Sequence, residues 1–189
     1  MAKNANFVIA GCWLIFLVYW LISAQRTKAI AERQSLWSDL AHRIPLGISY
    51  VLLADWQLPP PMNLAVTPHA DWARAAGVSL CALGLCVTLW ARGTLAGNWS
   101  SNVTFKRGHE LIRTGPYRHV RHPIYTGILF MCLGTAFAIG ELRGWLAFPL
   151  MTATFWIKLK QEERLLVRHF PDAYPVYQRQ VKALVPFVI

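Results

Sequence analysis

Residues 7–24, 75–91 and 123–139 of this chain are apolar from end to end and contain no charged side chain. At 1.5 Å per residue, roughly 20 such residues cross a hydrocarbon core of about 30 Å, where a helix satisfies its own backbone groups. Each block therefore predicts a membrane helix. Two further blocks, 44–58 (which carries Asp55) and 145–157, are shorter. They span only by recruiting flanking residues or by letting polar ends snorkel. The resulting expectation is an all-α integral membrane protein with about five transmembrane helices. Residues 1–189 form a single membrane domain, with the first three helices in 1–91. A hydrophobic content of 55% excludes an ordinary soluble domain. The first block is long and lacks a small-residue cleavage site, so it is read as a retained helix and not a signal peptide.

A net charge of +10 raises the question of nucleic acid, but the distribution answers against it. Of the 19 basic residues, all but Lys3, Arg74 and Arg143 lie in 26–43, 92–121 and 158–182. These are alternate connections, as the positive-inside rule requires of cytoplasmic loops. The N-terminus is thus expected outside and the C-terminus in the cytosol, which five crossings reproduce. The basic surface faces the lipid bilayer, with no nucleic-acid partner.

Cys12, Cys81, Cys86 and Cys132 all fall in apolar blocks, with no C-x-x-C pair and no His at ligand spacing. They read as small buried hydrophobes, without metal or disulfide chemistry. The Pro-rich loop 58–72 is expected outside, flanked by Trp56 and Trp72 at interfacial depth. The short "ELRG" (141–144) predicts an antiparallel hairpin of the fourth and fifth helices, and Gly134 and Ala138 permit close contact on the fourth.

Polar chemistry is left to two cytosolic segments, 92–122 and 158–189. The second starts as helix, with Leu159, Leu165, Leu166 and Phe170 near helical spacing, and stops around Pro171. It carries Glu162-Glu163 close to the membrane surface, with Lys158 and Lys160 one turn earlier and able to neutralise them. The first ends in "GPYRHVRHPIYTG" (115–127), where Arg118, His119, Arg121 and His122 precede Pro123 at the opening of a helix. A helix start with Pro in its first turn carries partial positive charge and suits an anion. A cationic helix start and a carboxylate pair at one membrane face can together hold a zwitterion, such as an amino acid moiety.

"GPYRHVRHPIYTG", the later "EE", and the tail pattern F-x-x-x-Y-x-x-Y-x-x-x-V-x-x-x-x-P resemble the isoprenylcysteine carboxyl methyltransferase family, grouped with the phospholipid N-methyltransferases. The resemblance covers about residues 92–189, the region expected to bind cofactor and catalyse. It implies S-adenosyl-L-methionine as methyl donor at a cytosolic cofactor site. No Gly-rich loop follows a strand here, which excludes a soluble Rossmann-type methyltransferase. By the resemblance, His109, Leu111, Ile112 and Tyr117 line the cofactor, His122, Pro123, Ile124 and Tyr125 continue that wall, and Glu162 meets it from the other side. Lys158 stands where isoprenylcysteine-type members place a substrate-binding arginine. Lys cannot clamp a carboxylate with a bidentate fork, which bears on whether a prenylcysteine carboxylate is the acceptor. Pro171 replaces a glycine common after the Phe and should alter only the local turn.

The implied reaction is methyl transfer to a lipophilic acceptor that enters from the bilayer, while the water-soluble donor enters from the cytosol. A carboxylate or thiolate acceptor needs no general base, whereas an ammonium would. No catalytic residue is assigned, and His119, His122 and Glu163 are the candidates for a base. An amine phospholipid or a thiol remains open as acceptor. Two other readings stand beside this one: an NADPH-dependent membrane reductase of the sterol-reductase type, and a non-enzymatic component whose basic loops bind anionic lipid. A short chain obeying the charge rule fits a prokaryotic inner membrane.

Overall fold

The computed structural model describes residues 2–25, 30–33, 36–54, 58–68, 70–96, 104–106 and 110–186. Helices α1 (Ala2–Ala24), α2 (Leu36–Leu53), α3 (Asp71–Leu95), α4 (Pro123–Ile139) and α5 (Leu142–His169) carry the five apolar blocks, the second only as far as Leu53, and a short α6 (Ala173–Gln180) follows. The second block ends earlier than its apolar sequence suggests, at Leu53, and Asp55 and Trp56 lie outside the described residues. The fifth helix continues well past its apolar part. A 3-10 turn, Gly115–Arg118, introduces α4. The helical expectation gains one addition: β1 (Ile30–Arg33) and β2 (Thr104–Lys106) pair antiparallel, joining two of the basic connections.

Among the described residues, two helices are long and apolar enough to cross a bilayer, over Asn4–Ala24 and Asp71–Leu95. On α1, Phe7, Leu14, Ile15, Leu17, Leu21 and Ile22 are all exposed. A helix apolar around its whole circumference has no use for water on any side, and this surface fits lipid. Cys12, Cys81 and Cys132 are buried as expected, whereas Cys86 is exposed on α3. Its side of the helix faces outward with Leu83 and Trp90.

The closest helix contact is between α3 and α4, and glycine makes it possible. A Cβ on Gly77 would come within 2.5 Å of the Gly134 carbonyl oxygen, and one on Gly127 within 2.6 Å of the Gly84 carbonyl oxygen. The two antiparallel pairs, Gly77–Gly134 and Gly84–Gly127, recur at seven-residue intervals, so both backbones touch along two turns each. Without a hydrophobic drive between helices in lipid, such van der Waals contact is what holds them. Around this pair, Trp13 of α1 donates its indole N–H to Thr135 of α4 at 3.0 Å, and its ring meets Tyr50 of α2 edge-on.

At one end, loop and hairpin interlock. Gly140, with φ 71°, turns α4 directly into α5, a shorter hairpin than "ELRG" alone implies. Its carbonyl accepts from the N–H of Val66 and Thr67, and Leu142 N–H donates to Leu64. Arg143 is buried there, donating to Glu141 at 2.6 Å and to the Leu52 and Ala54 carbonyls at the end of α2. The opposite end gathers the 3-10 turn, the start of α4, the end of α5, and α6.

Candidate active site

The site forms where α4 begins and α5 leaves its apolar stretch. His122 is the N-cap of α4 and Pro123 its first residue, so the chain arrives extended and turns at once into helix. The C-terminal tail fastens this entry. Arg121 N–H donates to Lys182 at 2.8 Å, His122 N–H to Ala183 at 2.9 Å, and the Thr126 hydroxyl to Leu184 at 2.7 Å. The tail thus lies parallel to residues 120–122, with Val120 bridged to Lys182.

The two adjacent glutamates have different surroundings. Glu163 is 6% exposed and fully engaged. Arg121 reaches its Oε1 with Nε at 2.8 Å and Nη2 at 2.7 Å, His122 Nε2 lies at 3.3 Å, and Gln178 donates to Oε2 at 3.2 Å. Burial by itself raises this carboxyl, but the hydrogen bonds and charges of His122 and Arg121 outweigh it and bring it down to about 2. Arg121 also donates to the Gln178 and Val181 carbonyls. Its cation is therefore turned inward, which leaves Arg118 and His119, both exposed, as the outward side chains of that motif.

Glu162 is 24% exposed. Its Oε1 accepts from the Tyr125 hydroxyl at 2.5 Å, and its Oε2 lies 3.6 Å from His122 Nδ1. His122 therefore stands between the carboxylates, one ring nitrogen toward each. Behind it the rings stack: His122 on Tyr125 at 5.5 Å and 7°, then Tyr125 on Phe155 at 4.6 Å and 12°. Lys158, buried at 8% exposure, holds its Nζ 5.6 Å from the Tyr125 ring centroid.

The fold thus brings together Tyr117, His122, Pro123, Ile124, Tyr125, Lys158 and Glu162. Leu111 and Ile112 are half-buried in the segment leading into the 3-10 turn, Ile112 packed against the core. His109 lies outside the described residues. The expected helix-face pairing of Lys160 with Glu163 is replaced: Lys160 lies over the Trp156 ring at 4.8 Å, and Glu163 belongs to Arg121. Arg121 wins because its planar fork can satisfy a buried carboxylate with two donors.

The tail pattern included Tyr174 and Tyr177, but the sequence reading did not make them part of a helix, α6, or give them partners. Tyr177 of that helix donates its hydroxyl to the Tyr117 carbonyl, and Arg113 lies over its ring at 5.7 Å while donating to Ala173 at 3.1 Å. Burial pushes the Tyr177 hydroxyl up to about 12, and raises those of Tyr117 and Tyr174 well above the usual phenol range. Tyr174 is 1% exposed, and its hydroxyl oxygen has no hydrogen-bond partner among the described residues. The spacing Tyr174-x-x-Tyr177, one helical turn, was the available signal. Among the described residues, no three His, Cys, Asp or Glu side chains gather where they could hold a metal ion.

Residues 72–173 match the family described as phospholipid methyltransferase. The protein-S-isoprenylcysteine O-methyltransferase of Schizosaccharomyces pombe is 35% identical over 115 residues, covering 57% of this chain and 49% of that one. The protein of that name from Saccharomyces cerevisiae is 28% identical over 195 residues, 98% of this chain and 81% of that one. Apart from that protein, the chain spans about half the length of the curated relatives it matches. A solved eukaryotic intramembrane Ras methyltransferase, isoprenylcysteine carboxyl methyltransferase, superposes with a TM-score of 0.53 at 24% identity. The match covers 80% of this chain and 51% of that one, and indicates a shared fold. These relatives are eukaryotic and lend no support to a prokaryotic inner membrane.

Proposed function

The chain belongs to the phospholipid methyltransferase family, and on that premise we propose that it transfers a methyl group from S-adenosylmethionine to a lipophilic acceptor at the cytosolic face of a membrane. The observation that carries this reading is the contrast between a locked and an open carboxylate. Glu163 has its donors supplied from within the chain, whereas Glu162 receives one hydroxyl and stays partly open. An open carboxylate beside a partly buried helix entry suits the ammonium of an amino acid moiety.

The residues present fit such a donor. Glu162 would take its ammonium, the flat faces of Tyr117 and of the His122–Tyr125 stack would line an aromatic base, and Pro123 and Ile124 would close the wall. Leu111, Ile112 and His109 would complete the approach. The unpartnered Tyr174 hydroxyl is a further buried group for a polar ligand to satisfy. When bound, the sulfonium supplies an already activated methyl. The chain's part is then to orient donor and acceptor in line and to exclude water. The stacked rings His122, Tyr125 and Phe155, all buried, would serve the second by keeping the floor of the site dry.

The acceptor we favour is the carboxylate of an S-prenylated cysteine, by likeness to the named relatives. Lys158, whose Nζ lies over the Tyr125 ring, is the cation that would meet it. An acceptor ionised at neutral pH needs no base, so none is assigned. Five crossings, with the N-terminus outside and residues 92–189 carrying the site at the cytosolic end, are part of the same proposal.

The test is calorimetric titration of the detergent-purified chain with S-adenosylhomocysteine, with NADPH in parallel. Saturable binding that is lost in His122→Ala and Glu162→Gln supports the reading. A folded sample that binds NADPH, or binds neither ligand, removes it.

A further inference from the structure

The outward face of α5 carries a feature that the methyl-transfer reading does not use. Trp156, Lys160, Arg164 and Arg168 recur every four residues and are all exposed. Lys160 lies over the Trp156 ring at 4.8 Å. The three cations border an open groove of about 390 Å³, lined by Lys160, Glu163, Arg164, Val167, Arg168 and Gln178. The groove's one carboxylate, Glu163, is matched from its inner side by Arg121. Lys160, Arg164 and Arg168 have no carboxylate partner among the described residues, so the groove presents uncompensated positive charge.

Position selects the ligand. Immediately before the stripe, Trp156 and Ile157 are exposed at 40% and 48%, an apolar surface that suits lipid chains. With a rise of 1.5 Å per residue, Lys160 lies about 6 Å and Arg164 about 12 Å beyond Trp156 along the axis. The headgroup layer of one leaflet is about 5–8 Å deep. Lys160 therefore lies within it, the longer Arg164 side chain can reach back toward it, and Arg168 adds positive charge further out. Trp at the apolar boundary and a cation stacked on its face form an interfacial anchor. The geometry points to this groove as a binding site for the phosphate of an anionic phospholipid, taken from the leaflet into which α5 emerges. Lys160 and Arg164 grip the phosphate, Gln178 of α6 borders the headgroup, and Trp156 and Ile157 meet the acyl chains. This site is separate from the methyl donor's and does not depend on the donor's identity.

Native mass spectrometry of the full chain in neutral detergent tests this, using an equimolar phosphatidylglycerol and phosphatidylcholine mixture as probe. About 1 kcal/mol per basic residue at a membrane surface corresponds, for three residues, to a preference for phosphatidylglycerol on the order of 100-fold. We expect K160Q/R164Q/R168Q to abolish most of that preference, and R118Q/R179Q/K182Q, which removes the same charge elsewhere, to leave it within about twofold. A salt titration of the unaltered chain, from roughly 50 to 500 mM, should weaken retention progressively and needs no variant to fold. The proposal is overturned if the unaltered chain retains both lipids equally, if both triple variants lose retention alike, or if soluble glycerophosphate displaces the lipid at comparable concentration. The last result would mark the groove as a site for free phosphate esters.

Discussion

Arg121 directs Nε and Nη2 onto a single oxygen of Glu163, at 2.8 and 2.7 Å, while its Nη1 reaches carbonyls of the C-terminal tail. One guanidinium thus ties α4's entry, α5's end and the tail into one unit. Removing Glu163 would leave a buried guanidinium uncompensated, and breaking a buried pair costs about 3–5 kcal/mol. Glu163→Ala should therefore lower the thermal midpoint sharply in detergent and release the tail to proteolysis. A midpoint unchanged from the unaltered chain would remove Glu163 from its structural role.

The same pair sets an acid limit. The Glu163 carboxyl lies at about 2 in the folded chain against an ordinary value of 4.5. A carboxyl depressed by folding stabilises fully above its unfolded value, and that stability is lost as pH falls through the folded one. Unfolding followed between pH 6 and 2 should show stability declining below about 4.5 and most of the Glu163 contribution gone near 2. Glu163→Gln should flatten that part of the curve.

Glu162 should behave in the opposite way. It is 24% exposed and holds one internal hydrogen bond, so Glu162→Gln should leave the thermal midpoint nearly in place. A hydrogen bond to a charged group is worth about 1.5–3 kcal/mol, so loss of the anion should weaken S-adenosylhomocysteine binding by roughly 10- to 100-fold. Equal damage to stability and binding would show that the two carboxylates are not divided in role.

Packing of α3 on α4 gives a sharper contrast. A Cβ at Gly84 meets Met131 N at 2.6 Å and Met131 Cγ at 2.9 Å, whereas one at Gly47 meets nothing within 4 Å. Gly84→Ala should destabilise by about 1–3 kcal/mol through overpacking. Gly47→Ala, in the interior of α2, should be neutral or stabilise by up to about 1 kcal/mol. Thermal melts of the two single variants side by side settle it, and equal midpoints would contradict the glycine contact.

How far the sequence could be read depended on whether a feature was local. Apolar runs and the Pro at α4's first turn are local, so the five long helices were legible, as was the stop of α5 near Pro171. The gathering of His122, Tyr125, Lys158 and Glu162 followed from motifs in order along the chain. What escaped depends on distant partners. Lys160 was expected to pair with Glu163 because helical spacing permits it, but Arg121, 42 residues away, made the better fork. The seven-residue rhythm of Gly77 and Gly84 becomes meaningful only beside Gly127 and Gly134 on the facing helix. The α6 tyrosines were visible as part of the tail pattern, but what they and the tail hold was not, because their hydrogen bonds run to residues 113–126.

Lys158 offers the test of the acceptor. Its Nζ lies over the ring of Tyr125, whose hydroxyl bonds Glu162, at the position where the resemblance implies an arginine. A lysine offers a point charge to an anionic acceptor, whereas arginine offers two parallel donors in the geometry of a carboxylate. With an S-prenylated cysteine as acceptor, Lys158→Arg should raise kcat/KM about tenfold and Lys158→Gln should lower it at least as much, the change falling mainly on KM. An amine acceptor reverses the expectation, because a neutral Gln would then be the better neighbour and Arg the worse. Rates for one prenylcysteine and one amine phospholipid across the three forms distinguish the cases. If neither acceptor responds to the charge at position 158, Lys158 does not meet the acceptor headgroup, and the group that does must be sought at Arg118 or His119, the outward pair of the α4 entry.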